Sequence, residues 1–498
     1  MSRIAIAAFT ALCVVTGAMA SSPSNLDLPQ IGEPADNTLS PLQERQLGQR
    51  VMAQLYGAGY LLEDPELTDY ISTIGWKLAS NSATQPPALT FFMVADPRIN
   101  AFALPGGYIG FNAGLLLAAD NESEVAGVMG HELAHVTQRH IARTGEDSEI
   151  ANVATWLAVI AAIIAGSADP DVIIGALSVG QAMSYQRQVN YTRAHEQEAD
   201  RIGIQTMAKA NFDPKAMASF FQKLEQQSRL YGSGLPEILR THPLSTNRVA
   251  EATTRAAEMP KVQHQDPPEF ALMRARARVL SAERPSVAVE QYSGNLKVER
   301  DLDESQYGLA LALYELGQYA RAIEALKPLV ERMPNQVNVS LLQGRLQMRN
   351  GEEEKGLAML QKMIRRNPRY APAILSYAEG LMTTGKPDEA RQVLLSHEQT
   401  LGTQIQTYNL LAQAARESGN LVEASYQMAS FLYLRGDSGN ALAQLDAGLR
   451  LPNLDDKHRA RLLAKRKEVR DSLPDNWRPR EDRNRLDTLS AYTDSVRH

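Results

Sequence analysis

Two histidines and a glutamate near residue 131 have the spacing of a metal-dependent hydrolase. His131 and His135 lie four residues apart and enclose Glu132 in an H-E-x-x-H sequence. On a helix this spacing places both imidazoles on one face, where they can bind a single Zn²⁺. Glu132, beside the first histidine, can reach a water at that ion and act as a general base. The pattern therefore predicts one zinc ion per chain and hydrolytic chemistry.

A hydrolytic zinc ion needs a third protein ligand and one open position. Glu196 and Asp200, four residues apart, share one face of a predicted helix. We expect Glu196 to bind the metal and Asp200 to accept the distal N–H of a ligating histidine. Glu198 points about 200 degrees away from Glu196 around the helix, so it is expected to be an exposed acid. His195 is the rival third ligand, but choosing it leaves the Glu196 and Asp200 pair without a role.

His242, which precedes Pro243, has three interpretations. It is a fourth zinc ligand that closes the site, a donor to the oxyanion, or a residue that caps a helix. The first two are favoured, because such a hydrolase must either restrain its activity or stabilise its transition state. We expect a latent state in which His242 lies on or beside the metal. Arg248 either supports the oxyanion or pairs with an acid, and the sequence leaves both open.

Cap residues and hydrophobic spacing predict the helices that hold these side chains. Ser40 and Gln43 form a capping box around Pro41, where a first helix begins. A second helix begins after Asp64, which precedes a proline. Residues 120–124 supply cap residues and early acidic charge for the helix of the H-E-x-x-H sequence. We expect that helix to run to about Arg143.

A small sheet is predicted between the second helix and the H-E-x-x-H helix. Residues 89–94 are β-branched and aromatic, and residues 100–104 and 108–111 flank a Pro-Gly-Gly turn like two strands. An extended substrate could pair with the earlier of these two strands and lie over the metal, or the strand could simply pack in the sheet. The residues of this candidate substrate strand are Asn100, Ala101, Phe102, Ala103 and Leu104.

Beyond residue 268 the chain repeats every 34 residues. Glycines recur at this interval, and a small residue follows each glycine by five positions. The glycines are Gly317, Gly351, Gly385 and Gly419, and the small residues are Ala322, Gly356, Ala390 and Ala424. A 34-residue helix-turn-helix unit of this kind resembles the tetratricopeptide repeat. Such units stack into a solenoid, which is either a spacer or, as favoured here, a concave surface that binds peptide or protein segments.

The first 20 residues have the features of a cleaved signal peptide. Arg3 precedes an apolar stretch at residues 4–15, and residues 18–20 form a small-x-small cleavage pattern. The apolar stretch is shorter than the roughly 20 residues that span a bilayer, so cleavage after Ala20 is favoured over a membrane anchor. The single cysteine, Cys13, lies in this segment, so the mature protein has no cysteine nucleophile. We expect an exported protein of the bacterial periplasm.

Composition divides the rest of the chain. A polar, proline-containing linker at residues 21–40 precedes the domain with the H-E-x-x-H sequence, and a second linker follows it. The predicted divisions are a hydrolase domain at 41–260, a repeat domain at 269–473 and a polar tail at 474–498. Residues 155–183 are apolar but interrupted by Asp169-Pro170, and neither half reaches spanning length. Buried or interfacial helices are favoured there, with contact to a membrane surface left open.

Length and charge limit the class of protein. At roughly 100 to 200 residues per domain, 498 residues indicate two or three domains. There are 51 Lys plus Arg against 57 Asp plus Glu, giving a net charge of −6. Proteins dedicated to nucleic-acid binding depend on cationic contacts to phosphate, so this balance argues against a nucleic-acid partner.

Four sequence motifs occur in order along the first half of the chain. They are residues 100–107, His131 to His135, Glu196 to Asp200, and Thr241-His242-Pro243 with Arg248. In kind and order these motifs resemble those of the zinc metallopeptidases that include HtpX and the CAAX prenyl proteases. The resemblance covers about Pro41 to Arg255. With the signal peptide and the repeats, it implies a periplasmic protease that degrades stalled outer-membrane β-barrel proteins at their assembly machinery and assists productive ones.

These observations predict a mainly helical protein with a small β-sheet. The expected architecture is an α+β zincin-like metallopeptidase domain followed by an α-solenoid of tetratricopeptide repeats. The expected function is a zinc endopeptidase whose repeat domain recruits clients or the assembly machinery. The alternative is a chaperone-like, peptide-binding adaptor in which a fully coordinated zinc ion is structural. Glu132 beside an open metal position fits only the enzyme.

Overall fold

The computed structural model describes residues 40–145, 182–231, 238–402, 404–452 and 454–473. The predicted signal peptide, nearly all of the first linker, most of the apolar stretch 155–183 and the polar tail lie outside these residues. Within the described ranges, no helix combines the length and the apolar character needed to cross a membrane.

The first half of the chain combines helices of 4 to 28 residues with three strands. Its strands are β1 (Thr90–Val94), β2 (Ala101–Leu104) and β3 (Tyr108–Asn112). Its described helices are α1 (Pro41–Gly57), α2 (Pro65–Ala79), α3 (Ala113–Ala118), α4 (Glu122–Thr137), α5 (His140–Gly145), α6 (Ala182–Lys209), α7 (Lys215–Tyr231), α8 (Ile238–Thr241) and α9 (Thr246–Glu258).

The strands form one sheet in the order β1-β3-β2, which leaves β2 at an edge. β1 pairs with β3 in parallel, and β2 pairs with β3 antiparallel, with Ala101 opposite Phe111. The predicted Pro-Gly-Gly turn joins β2 to β3. Gly106 and Gly107 have φ angles of 78° and 83°, a left-handed backbone conformation that residues other than glycine rarely adopt. The prediction of two strands around this turn is confirmed.

The first two helices begin as the sequence predicts. Ser40 and Gln43 form the complete capping box of α1. The carboxylate of Asp64 caps α2 by accepting the backbone N–H of Leu67 at 2.9 Å. One stripe of α2 packs into the main hydrophobic core, with Ile74 and Leu78 almost fully buried. α2 and α4 thus share the core that supports the H-E-x-x-H helix.

The second half consists of helices in antiparallel pairs. These helices are α10 (Pro268–Leu280), α11 (Pro285–Lys297), α12 (Leu302–Glu315), α13 (Tyr319–Arg332), α14 (Val337–Arg349), α15 (Glu353–Arg366), α16 (Ala371–Thr383), α17 (Pro387–Ser396), α18 (Glu398–Leu401), α19 (Ile405–Glu417), α20 (Leu421–Leu434), α21 (Ser438–Leu449) and α22 (Asp456–Asp471).

The glycines that repeat every 34 residues lie at the turns inside these pairs. Gly317, Gly351, Gly385 and Gly419 all have φ angles between 70° and 82°. The small residue five positions later lies where the two helices cross. At Gly356, an added Cβ would lie 2.7 Å from the carbonyl oxygen of Gly344, so only glycine permits that approach. The prediction of a mainly helical protein with a small β-sheet in its first half and a helical solenoid in its second half is confirmed.

The repeats and the first half of the chain meet at buried ion pairs. Arg276, from α10, donates to both carboxylate oxygens of Asp64 at 2.7 Å and lies 2.9 Å from Glu66. Arg345, from α14, lies 3.2 Å from Glu66, and Asn338 donates to the same carboxylate at 3.0 Å. Buried apolar residues on both sides of residues 260–268 belong to one core. The boundary predicted there stays a prediction.

Candidate active site

Four side chains from three parts of the chain converge at one point. His131 and His135 come from α4, Glu196 from α6, and His242 from the residue after α8. One ligand atom of each lies within 4.8 Å of the other three. Nε2 of His131 lies 3.0 Å from Nε2 of His135 and 3.2 Å from Nδ1 of His242. The Glu196 carboxylate lies 3.3 Å from each of the two α4 histidines.

The facing nitrogens indicate what this group can hold. Nδ1 of His131 lies 2.9 Å from the Asp200 carboxylate. A carboxylate only accepts hydrogen bonds, so Nδ1 carries a proton and donates it. Nε2 of His131, which faces the nitrogens of His135 and His242, is then the nitrogen that offers a lone pair when a metal ion replaces its proton. Several acceptors that point at one another, with a carboxylate among them, are the donor set of a metal cation. The side chains thus fit a metal ion.

The charges of the site favour a cation. Burial alone would lower the pKa of His131, but Glu196 and Asp200 outweigh burial and raise this pKa to about 10. Burial alone would raise the pKa of Glu196, but His242 and His131 outweigh it and hold the pKa well below its usual value. Glu196 is therefore an anion at neutral pH, as a metal ligand must be.

Glu132 is fully buried beside the donor group. Its exposed fraction is 0%, and neither carboxylate oxygen has a hydrogen-bond partner in the described part of the chain. Nε2 of His242 lies 3.3 Å from Oε1 of Glu132. A buried carboxylate without a hydrogen bond is costly, and such groups are retained where they act on a ligand or a solvent molecule.

Close contact between α4 and α6 brings Glu196 to the histidines. An added Cβ on Gly203 of α6 would lie 3.1 Å from the backbone N of His131 and from the carbonyl carbon of Gly130. The absence of side chains at Gly130 and Gly203 lets the two helix backbones touch beside the motif. Asn121 caps α4 by accepting the N–H of Glu124 at 2.9 Å. These local features fix the register of the two helices.

Arg248 and Asp200 lie behind the donor group. Arg248 donates to both oxygens of Asp200 at 2.8 Å, to the carbonyl of Pro243 at 2.8 Å, and lies 2.9 Å from Glu196. Two roles were considered for Arg248, and in the structure it pairs with an acid, Asp200. Asp200 accepts from His131, the contact expected for it. Arg248 also ties the segment of His242 to α6, since Pro243 directly follows that histidine.

Two features differ from the sequence-based expectations. The helix expected to reach Arg143 ends at Thr137, and Arg139 adopts a left-handed φ of 51° before α5 begins. Glu198 is not a free exposed acid, because it lies 3.1 Å from His140 and 3.2 Å from Arg143. His140 fills the gap between α5 and α6, which explains both differences. The sequence signal for these contacts is a third histidine, His140, five positions after His135.

His195, the rival ligand, lies outside the four-residue donor group. Its ring stacks on that of His140, with centroids 4.1 Å apart and an angle of 7° between the planes. The candidate substrate strand is β2 with Asn100 before it. It is an edge strand of the sheet and packs against α4. Ile238, which begins α8, donates its backbone N–H to the carbonyl of Ile99 at 3.1 Å.

Comparison with known proteins agrees with this architecture. A family model described as peptidase family M48 matches residues 65–256, and a tetratricopeptide-repeat model matches residues 272–337 and 307–372. The family implies a metal, in agreement with the donor group. Its enzymatic character favours the peptidase over the adaptor with a structural zinc ion.

Three relatives show what the chain is similar to. The beta-barrel assembly-enhancing protease of Escherichia coli (strain K12) is 34% identical over 460 residues, which cover 91% of this chain and 93% of that relative. A putative beta-barrel assembly-enhancing protease of Vibrio cholerae is 38% identical over 65% of this chain and 68% of its own length. Mitochondrial metalloendopeptidase OMA1 of Bos taurus is 33% identical over 31% of this chain and 30% of its own. The chain is therefore a metallopeptidase that belongs to the family of the β-barrel assembly-enhancing proteases, with a peptidase domain of family M48.

Proposed function

We propose that this protein is a zinc endopeptidase of the bacterial periplasm that degrades misassembled outer-membrane β-barrel proteins and assists their assembly. The observation that carries this proposal is the donor group of His131, His135, Glu196 and His242 beside the buried carboxylate of Glu132. The bacterial relatives of similar length, which are named for enhancing β-barrel assembly, support these clients and this compartment.

His131, His135 and Glu196 would hold the zinc ion. When bound, zinc supplies Lewis acidity, which activates water for attack on a peptide carbonyl. Glu132 takes the proton of the attacking water on a carboxylate oxygen and returns it to the nitrogen of the leaving amine. Its burial and lack of hydrogen bonds leave both oxygens available for this proton. Asp200 holds Nδ1 of His131 in the N–H tautomer, so that Nε2 faces the metal.

His242 would set a latent state. Its Nδ1 lies 3.1 Å from Glu196 and 3.2 Å from Nε2 of His131, inside the donor group. A fourth protein ligand occupies the position that water needs, so it silences the enzyme. His242 follows the four-residue helix α8, and among the described residues this segment is held by the backbone hydrogen bond from Ile238 to Ile99 and by the bond from Arg248 to Pro243. Movement of this short segment would free the position for water.

The edge strand β2 would hold the substrate. Its outer edge has no strand partner in the described residues, and β2 packs against the helix of His131. An extended peptide that adds to this edge gains backbone hydrogen bonds and lies beside the donor group. The repeat domain would recruit clients or the assembly machinery on surface not already taken by α2.

Zinc content and proteolysis of variants test the assignment. Glu132→Gln should keep stoichiometric zinc and fail to cleave an unfolded outer-membrane protein, whereas His131→Ala and Glu196→Ala should lose zinc. Glu353→Gln, the same change at an exposed position of the repeats, is the control and should cleave normally. Cleavage at the normal rate by Glu132→Gln would refute the proposed role of that residue. Full zinc retention in Glu196→Ala would favour His195 as the ligand.

A separate variant tests the latent state. If His242 occupies the position of water, His242→Ala should raise basal proteolysis while zinc is retained. Loss of proteolysis with zinc retained would show instead that His242 donates to the oxyanion. Unchanged proteolysis and zinc affinity would reject both roles.

A further inference from the structure

The second ring nitrogen of His135 faces a residue outside the donor group. Nδ1 of His140 lies 2.9 Å from Nδ1 of His135, and Nε2 of His140 lies 3.1 Å from Oε2 of Glu198. Arg143 donates to the same oxygen of Glu198 at 3.2 Å. His140 is 3% exposed, whereas the Glu198 side chain is 28% exposed, so the contacts begin in the interior and end near the surface. A chain of contacts therefore runs from His135 through His140 to a carboxylate.

The proton positions in this chain follow from the donor group. Nε2 of His135 must offer a lone pair to a metal, so the proton of this ring lies on Nδ1. Nδ1 of His140 must then accept that proton, which places the proton of His140 on Nε2. There it is donated to the carboxylate of Glu198. The reverse assignment, in which Nδ1 of His140 donates across the 2.9 Å contact, would put the proton of His135 on Nε2, where it would exclude a metal ion.

The backbone bends so that this contact can form. On a continuous helix, a residue five positions after His135 would lie about 140 degrees away from it around the axis. The helix instead ends at Thr137, and Arg139 takes a left-handed φ of 51°, which is uncommon for a residue other than glycine. Arg139 pairs with Glu44 of α1 at 2.8 Å. An unfavourable backbone conformation held in place beside a donor group indicates a functional constraint.

The three carboxylates of α6 divide the work of holding the two histidines. Glu196 belongs to the donor group, and Asp200 contacts Nδ1 of His131 directly at 2.9 Å. Glu198 lies about 200 degrees from Glu196 around the helix, too far around to contact His135 itself. His140 bridges that gap. Each histidine of the motif thus has an anion behind its second nitrogen, one directly and one through an imidazole.

We propose that His140 is a positioning residue for His135, which it holds in the tautomer and orientation that bind metal, with Glu198 as the anchor of His140. This inference rests on the metal site of the proposed function. Partners in this position raise the basicity of a histidine ligand and fix its ring, and their loss lowers metal affinity by about 10–100-fold. The stacked ring of His195 packs against His140 and holds its plane.

Metal affinity of the full-length protein, measured by competition with a chelator, tests this inference. His140→Phe keeps a flat ring but removes both hydrogen bonds, so we expect about 10–100-fold weaker zinc binding. His140→Asn places an amide oxygen near the former Nδ1 and should recover most of that affinity. His264→Phe makes the same change at a histidine whose side chain is 10% exposed, far along the chain in the linker, and should bind zinc normally.

Cobalt provides a readout that general loss of stability would not change. The visible spectrum of the Co²⁺-loaded protein depends on ligand geometry, so His140→Phe should change its band positions and His140→Asn should restore them. Equal zinc affinity and an equal Co²⁺ spectrum in wild type and His140→Phe would overturn the inference. If His140→Phe does not fold, Glu198→Gln decides: a severalfold loss of affinity supports the inference, and normal affinity overturns it. Failure of the wild type to bind either metal would instead reject the proposed function.

Discussion

Replacing Arg276 should destabilise the protein more than replacing any exposed arginine. Arg276 is 3% exposed and neutralises Asp64 and Glu66, which are 8% and 1% exposed. In Arg276→Met the arginine stem is replaced by a side chain of similar length, but both carboxylates lose a cation. Removing one partner of a buried ion pair costs about 3–5 kcal/mol, because the remaining charge stays out of water.

The remaining contacts place the expected loss at the lower end of this range. Asp64 keeps the backbone N–H of Leu67 at 2.9 Å. Glu66 keeps Asn338 at 3.0 Å and Arg345 at 3.2 Å. We therefore expect a loss of about 3 kcal/mol in the free energy of unfolding. For a cooperative unit of about 150–250 residues, this loss corresponds to a fall of about 6–12 °C in Tm.

Urea unfolding followed by circular dichroism at 222 nm measures this loss. Arg332→Met is the matched control, because Arg332 pairs with Asp303 where both side chains are about 40% exposed. That pair should contribute less than about 1 kcal/mol. In an Asp64→Asn background, Arg276→Met should cost less than in the wild type, because one of the two unpaired charges is already absent. If Arg276→Met is no more destabilising than Arg332→Met, the argument from buried charge is wrong.

Two further predictions concern pH and helix contact. Burial, followed by neighbouring carboxylates, raises the pKa of Glu269 from 4.5 to about 7. Between about pH 4 and 7 the native state then holds more protons than the unfolded chain, so the free energy of unfolding falls as pH rises through this window. The urea midpoints at pH 5 and pH 8 should therefore differ less in Glu269→Gln than in the wild type. In Gly203→Ala the new Cβ would lie 2.8 Å from the side chain of Met217 and 3.1 Å from the backbone N of His131, which should cost about 1–3 kcal/mol and weaken zinc binding. Gly294→Ala, in a helix with open space around it, should cause neither loss in the same chelator and urea measurements.

The features that the sequence predicts well depend on neighbours along the chain. The capping box at Ser40, the cap at Asp64 and the turn glycines of the repeats are decided by residues a few positions away. Part of the donor group can also be predicted from the sequence, because the spacing of four residues between His131 and His135 places both on one face of a helix. Glu196 followed from the same rule, with Asp200 one turn later.

The features that the sequence missed depend on contacts between distant segments. Nothing near Glu198 indicates that His140, 58 positions earlier, lies 3.1 Å away. The helix was expected to continue past Arg139. It ends because Arg139 takes a left-handed conformation and pairs with Glu44 of α1, 95 positions earlier, which the local sequence does not indicate. The pairing of Asp64 with Arg276 joins residues 212 positions apart. Hydrophobic periodicity carries no information about such pairs.

The buried ion pairs between the two halves have a consequence for the order of synthesis. Asp64 and Glu66 leave the ribosome long before Arg276 and Arg345. The interval is longer still for Glu63, whose partner Arg435 lies 372 positions later. At roughly 5–20 residues per second, the acidic start of α2 stays without its cations for about 10 seconds or more. Until the repeats have followed it, the nascent first half of the chain therefore holds the carboxylates of Asp64 and Glu66 without the cations that neutralise them in the folded protein.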